Sequence, residues 1–194
     1  MDRSKPPVES TVVMEGVVMG EHLQRLAREI VAANEDPEAL VILGILRRGR
    51  PIAERFATLI EDLTGVRPPV GSLATTLYRD DVKTGRGIPA PHGQTYFDFN
   101  VDEQTVLLVD DVLAAGRTIR AAMDEVMDYG RPARIQLACL VDRGGRELPI
   151  QADYLGWSTS AARDEWVSVH LVEIDGEDAV LVERYPAAEA TEGN

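Results

Sequence analysis

A single string in the middle of the chain, Thr105–Ala122 (TVLLVDDVLAAGRTIRAA), leaves little freedom in what the chain folds into. Its apolar start, Thr105–Asp110, reads as a buried parallel strand ending in two adjacent acids, Asp110 and Asp111. A loop containing Gly116 follows, and a helix begins near Arg117 and Thr118. Open α/β sheets take ligands at the carboxyl ends of their strands. A helix N-terminus presents unpaired N–H groups and a positive dipole end to a phosphate. Gly116 permits close backbone approach, and Thr118 adds a hydroxyl. The two carboxylates share the same crevice, where they can accept bonds from a diol or attract a divalent cation. Taken alone, the fragment also fits a capped helix with solvated acids, so the rest of the chain has to decide.

The surrounding pattern is α/β. Glu21–Asn34 puts Leu23, Leu26, Ala27 and Ile30 on one helical face, and Leu40–Ile45 is a short apolar strand ending in a glycine-containing turn. Pro51–Leu63 opens with a first-turn proline and is stopped by Gly65. Val70–Tyr78 reads as a second strand. Arg79–Glu103 then loses all period and carries Gly85, Gly87, Pro89, Pro91 and Gly93, as a mobile hood over a site would. After Thr105–Asp110 come a helix over Arg117–Tyr129 and strands over Ile135–Asp142 and Ala152–Trp157. Trp166–Glu173 and Ala179–Glu183 flank Asp175-Gly176-Glu177-Asp178, a hairpin signal. The expectation is one domain over residues 19–185: a mainly parallel sheet flanked by helices, with a hood over about 79–104 and a C-terminal β-hairpin. Residues 1–18 are expected as an N-terminal extension and 186–194 as a disordered tail.

Composition narrows the class. At 194 residues the chain is long enough for a real core. No apolar run approaches the roughly 20 residues that span a bilayer, and the N-terminus lacks a signal peptide's apolar core. One cysteine, Cys139, excludes an intrachain disulfide framework and, together with that N-terminus, points to the cytoplasm. A net charge of −13 argues against indiscriminate nucleic-acid binding but leaves room for a local basic patch. His22, His92 and His170 are scattered and suggest neither a metal site nor a triad.

With the whole string in view, VLLVDDVLAAGRT resembles the phosphoribosyl pyrophosphate motif of the type I phosphoribosyltransferases. That resemblance implies a parallel sheet with a flexible hood. It assigns Asp110 and Asp111 to the ribose hydroxyls, and Val112, Leu113, Ala114, Ala115, Gly116, Arg117 and Thr118 to the 5-phosphate. The family usually has Thr where this chain has Ala115. One hydroxyl contact, worth about 0.5–1.5 kcal/mol, is therefore missing. Gly44–Gly49 (GILRRG) resembles the family's pyrophosphate loop, with Leu46, Arg47, Arg48 and Gly49 as its members and Arg79 in Tyr78-Arg79-Asp80-Asp81 as a further contact. Asp110, Asp111 and Arg48 are then the catalytic set. Magnesium, held through the substrate and the two acids, would assist departure of pyrophosphate.

The segment Leu140–Gly156 (LVDRGGRELPIQADYLG) narrows the resemblance to the PyrR family of pyrimidine operon attenuation regulators with uracil phosphoribosyltransferase activity. LAREIVAAN, LYRDD, DYGRP and VEIDGED extend it over roughly residues 20 to 185. It implies uracil, phosphoribosyl pyrophosphate and UMP or UTP as ligands, with uracil against Val141, Asp142 and Arg143. For Arg143 a salt bridge to Glu147 is an equal alternative. It also implies binding of a pyrimidine-operon messenger RNA hairpin, with Arg25, Arg28 and Arg146 kept where the family is basic or polar, and assembly as a homodimer or larger homo-oligomer. Gly145, Gln151 and Trp157 replace a His, an Arg and a Lys of the family, which weakens the case for RNA. Trp157 and Trp166 are candidates for an interface, and Trp157 can alternatively stack on a base. A nucleotide-sensing protein with weak or no catalysis, or a phosphoribosyltransferase for another base, stay open on this reading.

Overall fold

A computed structural model of the chain describes residues 6–75, 94–162 and 164–186. Eight strands and four helices follow one another as β1 (Glu9–Glu15), α1 (Gly16–Ala33), β2 (Leu40–Ile45), α2 (Gly49–Thr64), β3 (Val70–Leu73), β4 (Thr105–Leu113), α3 (Arg117–Tyr129), β5 (Arg134–Asp142), β6 (Tyr154–Ser158), β7 (Glu165–His170), α4 (Val172–Asp175) and β8 (Ala179–Arg184). Five of the strands make a wholly parallel sheet in the order β3-β2-β4-β5-β6, and the other three an antiparallel sheet in the order β1-β8-β7.

Alternation along the central strands divides the core in two. Leu40 and Ile42 of β2 and Leu107 and Val109 of β4 pack with Leu26 and Ile30 of α1, Phe56 and Ile60 of α2, and Val167, Val169 and Val180 of the small sheet. Val41, Leu43 and Ile45 with Val106 and Leu108 point the other way, onto Ile119, Ala122 and Val126 of α3. Strands buried on both faces read as unbroken apolar runs, which is why these were legible in the sequence.

β2 leads through α2 to β3 on one side, whereas β4, on the other side of β2, leads through α3 to β5. The carboxyl ends of β2 and β4 therefore flank the point where the winding reverses, the place where such sheets bind ligands.

Several boundaries differ from the sequence expectation. Residues 9–15 are no mere extension: β1 pairs antiparallel with β8, from Glu9 opposite Arg184 to Glu15 opposite Ala179. Its only buried side chain is Met14, so no period marked it. α1 begins at Gly16, five residues before the expected start: the Gly and Val residues of GVVMG are weak helix formers, and burial of Met19 helps carry the helix through them. Most of the expected hood falls outside the described residues. Tyr78, Arg79, Asp80 and Asp81 lie outside the described residues, as do 187–194 of the tail. Residues 94–104 are packed: Tyr96 exchanges two backbone hydrogen bonds with Ser72 of β3, at 2.8 and 2.9 Å, and Val101 is buried.

The hairpin forms, but Asp175–Asp178 is not its two-residue turn. β7 and β8 are joined by residues 171–178, which include α4 with Gly176 as its left-handed cap. Arg55 of α2 holds this connection. Its guanidinium donates to both carboxylate oxygens of Glu173, at 2.9 and 2.6 Å, and of Asp178, at 2.9 and 2.7 Å. The hydrogen bond from Arg55 holds Glu173 below the usual carboxylate range. Burial alone would raise Asp178, but the same guanidinium brings it below that range too. Depressed carboxylates stabilise a fold above their unfolded pKa and lose that contribution as pH falls through the folded value. Arg55→Ala is thus expected to lower the Tm at pH 7 by roughly 2–8 °C, about 1–2 kcal/mol after allowing for the exposure of Glu173. The difference should narrow below about pH 4. A thermal melt with a constant gap from pH 3 to pH 7 contradicts this account.

Candidate active site

β4 runs three residues further than expected, because Val112 pairs with Val141 and Leu113 with Asp142 of β5. Asp110 and Asp111 therefore lie within the strand, not beyond it. Asp110 is 7% exposed and opposite Cys139, while Asp111 is half-buried and donates its own N–H to Asp110 Oδ1 at 3.0 Å. Burial pushes the Asp110 carboxyl well above the usual range, and the neighbouring charge of Asp111 adds to it. Burial raises Asp111 as well, opposed by its hydrogen bond with Asp110 and by the charge of Arg48. Two acids that resist ionisation unaided favour a cation or hydroxyl partner.

The loop after β4 is short, Ala114–Gly116. Leu113 is buried in the core, and Val112 belongs to the strand. Four hydrogen bonds from residues 143–148 fix the backbone here. Leu113 C=O accepts from Arg143 N–H at 3.0 Å, Ala114 C=O from Arg146 Nη1 at 2.8 Å, and Ala115 C=O from Glu147 and Leu148 N–H at 3.0 and 3.1 Å. Because a trans peptide sets its N–H opposite its C=O, the N–H groups of Ala114, Ala115 and Gly116 point away from that segment. Gly116 is left-handed at φ 89°, and its C=O accepts the first helical bond of α3, from Arg120 N–H. The N–H groups of Arg117, Thr118 and Ile119 thus fall outside the helix's own ladder. Arg117 and Thr118 are exposed, and Arg117 pairs with Glu147 at 2.5 Å.

Across the switch point, residues 46–48 connect β2 to α2. The Leu46–Arg47 peptide is cis, and Leu46 N–H donates to Leu73 C=O at 2.8 Å. Arg47 is exposed. Arg48 donates to Asp175 Oδ1 at 2.9 Å, and among the described residues its buried Nε has no partner. Gly49 starts α2 in contact with β4: a Cβ there would lie 2.3 Å from the carbonyl oxygen of Val109, next to Asp110.

At the end of β5, Val141 is fully buried in the core. Asp142 faces Arg146, which donates to both its oxygens at 2.9 and 2.5 Å. Burial would raise its carboxyl, and that pair instead holds it below the usual range. Arg143 does not pair with Glu147, which is taken by Arg117. It reaches Glu165 C=O at 3.3 Å and lies 5.4 Å from the centre of the Trp166 ring. Trp157 packs partly buried against the core. Of the three arginines expected at RNA, Arg28 is exposed. Arg25 donates to Leu155 and Gly156 C=O at 2.9 and 2.8 Å, and Arg146 is bound into the loop. Asp175 was missed in the sequence because DGED carried only a turn signal, and Trp166 because nothing local placed it beside Arg143.

These features have relatives. The phosphoribosyl transferase domain matches residues 18–172, and the chain belongs to that family. Within it, the chain is a member of the PyrR family. It is 48% identical over 175 residues to the bifunctional protein PyrR of Clostridioides difficile, covering 90% of this chain and 98% of the relative. It is 51% identical over 160 residues to that of Pelotomaculum thermopropionicum, covering 82% and 88%. The hypoxanthine phosphoribosyltransferase of Trypanosoma cruzi shares the fold, with a TM-score of 0.64 at 15% identity over 91% of this chain and 97% of that one. Among the described residues no helix is long and apolar enough to cross a membrane.

Proposed function

We propose that the chain transfers the ribose 5-phosphate of phosphoribosyl pyrophosphate to uracil, giving UMP and pyrophosphate, and that the nucleotide site also serves regulation of pyrimidine genes through messenger RNA. The observation that carries the enzymatic reading is the placement of Asp110 and Asp111 beside a loop whose N–H groups are turned outward by pinned carbonyls, opposite an arginine loop at the switch point. In this reading the paired acids accept the ribose hydroxyls. The N–H groups of Ala114–Gly116 and the first turn of α3 take the 5-phosphate. The backbone of Leu46–Gly49 with Arg47 and Arg48, and Arg79 from outside the described residues, take the pyrophosphate. As the bond from ribose to pyrophosphate breaks, a uracil nitrogen forms the new one and gives up its proton to the departing pyrophosphate, and the two carboxylates lie where positive charge develops. Arg48 exchanges Asp175 for pyrophosphate oxygens. Asp142 and Arg143 orient the base.

The donor set fits magnesium. Asp110 and Asp111 are hard oxygen ligands, the kind magnesium takes alongside phosphate oxygens and water. Held there by Asp110 and Asp111, such an ion would supply Lewis-acid stabilisation of the leaving pyrophosphate.

Formation of labelled UMP from uracil and phosphoribosyl pyrophosphate with magnesium tests the reading; saturable UMP binding with no turnover would leave a sensor instead. The regulatory half rests on membership of the PyrR family. Arg28→Ala is expected to weaken binding of a pyrimidine-gene leader hairpin in filter retention and to lower the salt slope by about one. A variant that binds with the slope of the parent removes Arg28 from the RNA surface. Assembly as a homodimer or larger belongs to the same reading, and light scattering measures it.

A further inference from the structure

Arg146 was expected at RNA, but its surroundings point inward. Its hydrogen bonds reach the last residue of β5 and the loops after β4 and β5. Nε donates to Ile150 C=O at 2.7 Å, Nη1 to Ala114 C=O at 2.8 Å and to Asp142 Oδ1 at 2.9 Å, and Nη2 to Asp142 Oδ2 at 2.5 Å. The side chain is 24% exposed and that of its partner Asp142 20% exposed. Of the four bonds that pin the carbonyls of residues 113–115, this is the one made by a side chain. Leu113 and Ala115 are held by backbone N–H groups that most substitutions keep. Ala114 C=O depends on the guanidinium.

We propose that Arg146 is a positioning residue for the phosphate loop, fixing the Ala114–Ala115 peptide so that Ala115 N–H faces the 5-phosphate of the substrate. The inference rests on the phosphoribosyltransferase reading and deepens it. A planar peptide that loses its carbonyl anchor rotates as a unit, carrying its N–H out of line. The guanidinium suits this task because its fixed fork satisfies Asp142 bidentately while Nε and Nη1 reach two separate carbonyls. A lysine ammonium has three donors at one point and cannot span them. Ala115 adds to the dependence: with no hydroxyl at this position, the backbone N–H groups carry the phosphate.

The test is calorimetric binding of two probes, ribose 5-phosphate and inorganic pyrophosphate, each with magnesium, to the full chain and to Arg146→Met and Arg146→Lys. The expected result is a Kd for ribose 5-phosphate raised about tenfold in Arg146→Met and less in Arg146→Lys, with pyrophosphate binding within twofold of the parent. That split distinguishes positioning from general loss of structure. Unchanged ribose 5-phosphate binding, with or without a lower Tm, overturns the proposal, and so does equal weakening of both probes. If Arg146→Met does not fold, the same split in Arg146→Lys decides. A parent chain that binds neither probe overturns the phosphoribosyltransferase reading itself, a failure separable from that of Arg146.

Discussion

Asp110→Asn combined with Asp111→Asn is expected to cut UMP formation by roughly 10²–10⁴-fold, since two charge-assisted hydrogen bonds of about 1.5–3 kcal/mol each are lost. The single Asp110→Asn variant should at the same time be more stable than the parent. Asp110 is buried, and its folded pKa is raised above the unfolded one, first by burial and then by Asp111. Between those two values the folded state keeps a proton that the unfolded state has released. Parent stability therefore falls as pH rises from about 3.9 through the folded pKa. Asparagine has no proton to lose. Its advantage should be absent near pH 3 and reach roughly 2–8 °C in Tm, about 1–2 kcal/mol, at pH 7. Melts of both proteins across that range, beside the turnover assay, give the result directly. An asparagine variant that is less stable at pH 7 would mean that Asp110 is held ionised by a partner. A variant that keeps full turnover would remove the acid from the site.

Gly49→Ala is expected to damage both fold and activity although the change is one methyl group. The added Cβ would meet the Val109 carbonyl oxygen at 2.3 Å, a backbone atom held in the β2–β4 ladder by the Gly44–Val109 pair. Nothing at the far end of a flexible side chain is available to move. Either α2 tilts away from the sheet or β4 shifts, at a cost of about 3 kcal/mol or more. That corresponds to a Tm lower by roughly 6–12 °C for a chain of this size. Because Val109 precedes Asp110, the surviving folded protein should also bind phosphoribosyl pyrophosphate more weakly. The same substitution at Gly65, where the cap is left-handed with open space around it, should cost less. Equal melting of Gly49→Ala and the parent would show that the contact relaxes freely.

What was legible in the residue order depended on how far each element relies on distant partners. The apolar runs of β2, β4 and β5 were legible because strands buried on both faces need unbroken hydrophobic stretches, and so were α2 and α3, with their stops at Gly65 and Gly130. The resemblance to PyrR rested on strings such as VLLVDDVLAAGRT and LVDRGGRELP, and family membership followed from them. β1 was not legible, because a strand with one buried side chain owes its existence to β8, 164 positions away at the near end.

The site divides the same way. The sequence by itself determined which residue types stand at the switch point: two acids, a glycine loop at a helix start, and two arginines after β2. Only the tertiary structure decided what each can do, because burial and hydrogen bonding are properties of surroundings that distant segments supply. It sealed Val141 and Leu113 into the core and raised the Asp110 carboxyl. It tied Arg48 to Asp175, and it brought Arg146 onto the Ala114 carbonyl.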